Sequence, residues 1–312
     1  MENHDTKKIS EEINRLKKER NAVLLCHYYQ SAEIQKVADF LGDSLELSRK
    51  AKETDADIIL FAGVHFMAET ASILSPDKKV LIPVLGAGCT LADSITAEDL
   101  RKWKASHEDG LVVSYVNTSA EVKAETDYCV TSANAVKIVS LLPKDRPILF
   151  CPDRHLGRYI QAVTGRELEL WPGACYIHKE MDGSLAKEAL KAHPAPVELL
   201  IHPETVAASD PDILSNPRCV IGSTSTIIKR PAISGLDTYI VGTEIGIITE
   251  LERLYPDKKF VPLTEGCVCE YMRKISLRNI LEALRDEKYE VKVPDEIRER
   301  AIVPIERMLS MS

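Results

Sequence analysis

A chain of 312 residues, 45% hydrophobic and 28% charged, has the make-up of an ordinary soluble globular protein, long enough for one large domain or two to three small ones. Its formal net charge of −8 argues against a general nucleic-acid or anionic-membrane surface, while leaving room for a local basic pocket that holds an anion. No apolar run is long enough to span a bilayer, and residues 1–20 read as a charged helix rather than a secretion signal, so a cytoplasmic location is expected.

In chain order, the first element is a helix over 7–20 with Ile9, Ile13 and Leu16 on one side. Short apolar runs then alternate with helical patterns, the signature of a parallel α/β architecture. The first unit reads as a strand over 23–27, a helix over 32–38, a short strand ending at Leu41-Gly42-Asp43-Ser44 and a helix over 45–52. A strand over 57–62, a helix over 66–74 and a fourth strand over 80–85 follow, ending at Cys89. The second unit repeats the order, with strands over 111–115, 128–130, 147–150 and 167–171, helices over 135–142 and 156–163, and an end at Cys175. A third pass has strands over 197–201, 219–222, 238–242 and 259–263 and a helix over 247–255, ending at Cys267 and Cys269. Closing helices are predicted over 277–284 and 295–308. Joints at 106–110 and 193–196 divide the chain into 1–106, 107–194, 195–276 and a C-terminal segment 277–312. The expected fold is therefore α/β: three sequential four-stranded parallel-sheet units with pseudo-threefold symmetry around a central site. A single continuous sheet would need about twelve strands, near the upper limit for open sheets.

In open parallel sheets the working groups gather at the carboxyl ends of the strands. At the end of strand one the three units carry His27-x-Tyr29, Tyr115-x-Asn117 and His202-x-Glu204, and residues two apart in a strand share a face. One such His or Tyr alone is more often a hydrogen-bonded interface residue; three matched pairs weigh toward a site. At the end of strand two stand Gly42-Asp-Ser44, Val130-Thr-Ser132 and Gly222-Ser223-Thr224, each leading into a helix. Hydroxyls there are first of all N-caps, worth about 1 kcal/mol each. The same geometry exposes backbone N–H groups and the positive helix end, which suit a carboxylate or phosphate.

Eight cysteines in a chain without an export signal do not read as a disulfide framework. Cys26, Cys129, Cys151 and Cys219 lie among apolar strand residues and read as buried thiols. Cys89, Cys175 and the Cys267/Cys269 pair instead follow Gly-containing turns at strand ends, where function tends to sit. Paired C-x-x-C zinc knuckles are absent. One cysteine per unit suggests a cluster at a junction, whose fourth iron, left open by three thiolates, acts as a Lewis acid. By internal repeat, Cys267 aligns best with Cys89 and Cys175. For His178, three residues past Cys175, a spare ligand, a substrate contact and an interface residue all stay open. A zinc-dependent or metal-free phosphosugar lyase and a non-enzymatic dicarboxylate-binding protein are the competing readings.

Nine ordered motifs resemble the quinolinate synthase family, the A protein of de novo NAD biosynthesis, essentially from end to end. They are His27-Tyr-Tyr29-Gln, Gly42-Asp-Ser44-Leu, Phe66-Met-Ala-Glu69, Tyr115-Val-Asn117, Thr131-Ser132-Ala-Asn134-Ala, Pro152-Asp-Arg-His-Leu-Gly157, His202-Pro-Glu204, Gly222-Ser-Thr224 and Gly242-Thr-Glu-Ile-Gly246. The resemblance implies three α/β units around a 4Fe–4S cluster with three cysteine ligands and one open iron acting as Lewis acid. It also implies condensation of iminoaspartate with dihydroxyacetone phosphate to quinolinate, phosphate and two waters, with a functional link to an iminoaspartate-producing enzyme. Family ligands fall on Cys89 and Cys175. The third falls on Cys269, three residues before Met272, with Cys267 in reserve. Tyr29, His202 and Glu204 are implied as catalytic. His27, Ser44, Tyr115, Asn117, Ser132, His178, Ser223 and Thr224 are implied to bind substrate.

Overall fold

The structure, a computed structural model, describes residues 4–312. Its strands are β1 (Ala22–His27), β2 (Phe40–Gly42), β3 (Ile58–Ala62) and β4 (Lys79–Leu81), then β5 (Leu111–Tyr115), β6 (Tyr128–Val130), β7 (Ile148–Cys151) and β8 (Glu169–Leu170), then β9 (Glu198–Ile201), β10 (Cys219–Ile221), β11 (Thr238–Gly242) and β12 (Lys259–Pro262). They form three separate four-stranded sheets of one order, β2-β1-β3-β4, β6-β5-β7-β8 and β10-β9-β11-β12. Every pairing is parallel. The three-unit α/β architecture expected from the alternation is thus the one observed, and the single twelve-stranded sheet is not.

Parallel sheets covered on both faces carry continuous apolar runs instead of alternating ones. Accordingly β3 (Ile-Ile-Leu-Phe-Ala) and β7 (Ile-Leu-Phe-Cys) are buried at every position. β4 stops at Leu81, short of the predicted 85, because Pro83 brings no N–H to a ladder.

Besides the short helices Ala120–Ala124 and Pro211–Leu214, two ten-residue helices fall outside the sequence reading. Ala97–Ser106 begins at a capping box between Thr96 and Asp99, and Gly183–Ala192 follows the cap Asp182. The first buries Leu100 and Trp103 with Val112, Leu149 and Cys151 of the second sheet. The second buries Ala186 and Leu190 with Leu199 and Ile201 of the third. Helix His4–Glu19 likewise contacts β1. Packing therefore groups each of these helices with the sheet that follows it.

One continuous apolar core joins the first sheet, one face of the second, and the C-terminal helices Leu277–Asp286 and Asp295–Met311. The third sheet keeps two separate clusters, with Leu199, Ile201 and Ile240 on one face and Leu200, Tyr239 and Val241 on the other. Among the described residues, no helix is long and apolar enough to cross a membrane.

Candidate active site

The carboxyl ends of all three sheets border one cavity. Its lining includes His27, Tyr29 and Ser44 from the first unit, Tyr115, Asn117, Ser132 and His178 from the second, and His202, Glu204 and Thr224 from the third. Cys89, Cys175 and Cys269 line the same space. Every residue singled out from the sequence reaches it except Ser223, whose position follows from local geometry. Asp43 and Ser223 are N-caps, accepting backbone N–H groups from Glu46 and Thr226. The residue after each cap, Ser44 or Thr224, begins the helix and faces the cavity. Ser223 is thus turned into its helix and carries Thr224.

The cysteine loops obey a common hydrogen-bond register. His65, Arg154 and Ile245, each three residues past the third strand of its sheet, donate backbone N–H groups to the carbonyls of Ala87 (2.8 Å), Gly173 (2.9 Å) and Cys267 (3.0 Å). Each acceptor lies two residues before Cys89, Cys175 or Cys269. The carbonyls of those three cysteines in turn accept N–H groups from Asp93, Lys179 and Arg273, each at 3.0 Å. The structure therefore pairs Cys269, not Cys267, with the other two. Cys267 matches Ala87 and Gly173, and its side chain is buried with Ile177 and Met181 in the core of the third unit. The sequence repeat misaligned this loop by two residues.

The turn each cysteine opens brings backbone N–H groups toward its sulfur, those of Ala92 and Leu91 toward Cys89, of His178 toward Cys175, and of Met272 and Tyr271 toward Cys269. Burial pushes the thiols up, Cys89 to about 12 and Cys175 to about 11. A cationic iron site would compensate three thiolates in so buried a place. Three sulfurs from three directions, each met by N–H donors, fit the donor set of a cluster. They are not among the tight sets that suit a single ion; among the described residues the one such set of three groups is His178, His202 and Glu204, with ligand atoms within 4.8 Å of one another.

That trio is the electrostatic centre. Glu204 Oε2 lies 3.2 Å from both His178 Nδ1 and His202 Nδ1, and the imidazoles stack with centroids 4.8 Å apart. Burial opposes ionisation of Glu204, but the two imidazoles outweigh it and hold the carboxyl below the usual range. Burial likewise opposes charge on His178, yet Cys175 and Glu204 raise it well above an ordinary imidazole. His202 is lowered by burial despite Glu204, and His27 is pushed down to about 4 by burial. Burial also holds the Tyr29 and Tyr115 phenols well above their usual range. His202 Nε2 and Ser132 Oγ share a hydrogen bond of 3.2 Å across the second and third units.

Three groups near the site stand inside motifs quoted from the sequence but were assigned no role there. Thr243 Oγ1 lies 2.7 Å from the Tyr29 hydroxyl and 2.9 Å from His178 Nε2, bridging all three units. Asp153 and Glu244 are fully buried and accept the backbone N–H groups of Cys175 (3.1 Å) and Cys269 (3.2 Å). The only signal for them was local: an acidic or hydroxyl residue just past a strand and before a helix, which reads as a cap.

A family model described as quinolinate synthetase A protein matches residues 11–310. A quinolinate synthase of Thermus thermophilus is 49% identical over 97% of this chain and 97% of its own length. One of Pyrobaculum aerophilum is 47% identical over 97% and 100% of the two chains, and quinolinate synthase 2 of Methanosarcina acetivorans 46% identical over 97% and 96%. With the match running through every unit that contributes to the cavity, the chain belongs to the quinolinate synthetase A protein family.

Proposed function

We propose that the chain is a quinolinate synthase, condensing iminoaspartate with dihydroxyacetone phosphate to give quinolinate, phosphate and two waters. The observation that carries this reading is the meeting, in one cavity, of three strand-end thiols with buried polar groups that lack partners. Asn117 Oδ1 and Glu204 Oε1 are buried without a hydrogen bond, and both residues line the cavity. Buried oxygens of this kind are expensive unless a bound molecule satisfies them.

Cys89, Cys175 and Cys269 would hold a 4Fe–4S cluster, which when bound supplies Lewis acidity toward a substrate oxygen through the iron not bonded to cysteine. Ser44, Ser132 and Thr224 bind substrate carboxylate or phosphate oxygens, together with backbone N–H groups. Ser223 contributes by holding Thr224. His27, Tyr115 and Asn117 orient the substrate from the first two units. Tyr29 stays protonated and donates its hydroxyl hydrogen; Glu204, ionised, accepts a proton. Thr243 is hydrogen-bonded to both Tyr29 and His178, whose Nδ1 stands 3.2 Å from Glu204 Oε2, so a small shift of the imidazole would let a proton pass between Tyr29 and Glu204 during isomerisation and dehydration. His202, neutral and bonded to Ser132, receives or returns a proton beside Glu204. An iminoaspartate-producing enzyme is the functional partner, since the imine must be delivered before water destroys it.

The test is anaerobic reconstitution followed by incubation with dihydroxyacetone phosphate and enzymatically generated iminoaspartate. Expected are about four iron and four sulfide per chain, and quinolinate formed with equimolar phosphate. Fully loaded protein that makes no quinolinate, or colourless zinc-loaded protein that does, would overturn the reading. Tyr29→Phe and Glu204→Gln should each lower turnover by about 10²- to 10⁴-fold if these groups move protons.

A further inference from the structure

The three cysteine loops share one backbone tether but differ in a second. Two residues past β7 and β11 stand Asp153 and Glu244, where the first unit has Val64. Asp153 Oδ2 accepts the Cys175 N–H at 3.1 Å, while its Oδ1 accepts those of His155 (2.9 Å) and Leu156 (2.7 Å). Glu244 Oε1 accepts the Cys269 N–H and an Arg273 guanidinium N–H, both at 3.2 Å, and its Oε2 accepts the Gly246 N–H at 2.6 Å. Val64 offers Cys89 no such acceptor.

We infer that Asp153 and Glu244 are positioning residues for the cysteine set, fixing the peptide planes of Cys175 and Cys269 and so the directions of their thiols. This rests on the reading of those cysteines as cluster ligands. Capping alone does not explain the arrangement: Asp153 caps its helix with one oxygen and turns the other to a residue 22 positions away. The distance is short because the loop lies against the strand end. A Cβ on Gly173 would sit 2.4 Å from the Pro152 carbonyl oxygen, which leaves a short aspartate side chain within reach of Cys175. The chemistry also requires a carboxylate. Every group facing these four oxygens is an N–H donor, so an amide in place of either acid would turn its NH₂ toward another donor. Each carboxyl gathers three N–H donors, one of them from a cysteine loop, which suits a ligand loop that must keep its shape before the metal arrives. The Cys89 loop, lacking the clamp, is the one left free to adjust as the set closes on its group.

The test uses the full chain as wild type, Asp153→Asn, Glu244→Gln and, as a control, Glu250→Gln, a buried carboxylate paired with Arg253 away from the cavity. Each is reconstituted anaerobically with ferrous iron and sulfide. Iron per chain, the rate of iron release to a chelator, the electron paramagnetic resonance spectrum of the reduced protein and the thermal midpoint before loading are then measured. Asp153→Asn and Glu244→Gln are expected to release iron about 10- to 100-fold faster, the range typical for loss of a partner that orients a metal ligand, with altered spectra; Glu250→Gln is expected to match wild type. Should Asp153→Asn fail to fold, Asp153→Glu, which keeps both oxygens, is expected to retain slow release, and Glu244→Gln decides independently. Wild-type release rates and spectra in both amide variants would overturn the positioning role. A wild type that takes up no iron would overturn the cluster reading beneath it.

Discussion

The third unit and the first two repeat one strand order but are held together differently. The first and second sheets share a continuous apolar core, filled from the C-terminal side by Ile280, Leu284, Ile305 and Met308. The third sheet divides its buried residues between two smaller clusters. It meets the other units through apolar packing of Tyr28, Leu41 and Tyr159 on those clusters and through polar contacts at the cavity, including Ser132 with His202, Thr243 with Tyr29 and His178, and Gln35 with the Gly246 carbonyl (3.0 Å). The lesson is that one topology serves two purposes. Two copies form a frame, and the third presents His202, Glu204, Thr224 and Cys269 to it across a seam that joins apolar packing to hydrogen bonds.

Core truncation tests this contrast most strongly. Phe150→Ala, at a fully buried position of the shared core, should cost about 3–5 kcal/mol. Hydrogen exchange should then show lost protection in β1 and β3 as well as in β5 and β7. Ile240→Ala in the third unit should cost about 2–5 kcal/mol, with the added exchange confined to β9 through β12. Equal spread of exchange in the two variants would erase the distinction.

A pH series probes the seam itself. His27 is held near 4 against an ordinary 6.5, by burial first, with Asp43 and Glu204 pulling the other way and His202 adding to the depression. The unfolded chain therefore takes up a proton below pH 6.5 that the folded one refuses. Stability should fall as pH drops from 6.5 toward 4, by at most about 1.4 kcal/mol per pH unit for this one proton, and level off below. His27→Gln should flatten that slope in denaturant titrations of the protein without added metal; an unchanged slope would assign it to other groups. The smallest effect is expected at the cap: Ser223→Ala should cost about 1 kcal/mol. Its turnover should change far less than that of Thr224→Val, whose hydroxyl lines the cavity.

The bodies of the strands and their ends were not equally legible in the sequence. Runs such as Ile58-Ile-Leu-Phe and Ile148-Leu-Phe, short and β-branched between turn residues, read as buried strands, so element order and the threefold plan follow from apolar patterning. The strand-end pairs were legible because a two-residue spacing at a predicted end already implies a shared direction. The helices Ala97–Ser106 and Gly183–Ala192 went unread although Thr96/Asp99 and Asp182 mark their starts, because their mixed polar faces blurred the periodicity. Cys267 and Cys269 are ambiguous for a related reason: Gly86-Ala-Gly-Cys89 matches Gly266-Cys-Val-Cys269 without a gap, but Gly266-Cys267 alone repeats the Gly-Cys dipeptide of Gly88-Cys89. Asp153, Thr243 and Glu244 act through contacts with residues 22 to 214 positions away, and no local pattern encodes a partner at that distance.

The helices Leu277–Asp286 and Asp295–Met311 follow all twelve strands in chain order, yet they complete the core of the first two units. During vectorial synthesis on the ribosome, those two units must therefore wait, with apolar surface uncovered, until the third unit has been made. Folding of the frame and arrival of the last thiol loop are in this way timed together. A nascent chain arrested before residue 277 should expose that surface to chaperones, and the cysteine set would be brought together only in a chain already able to close over it.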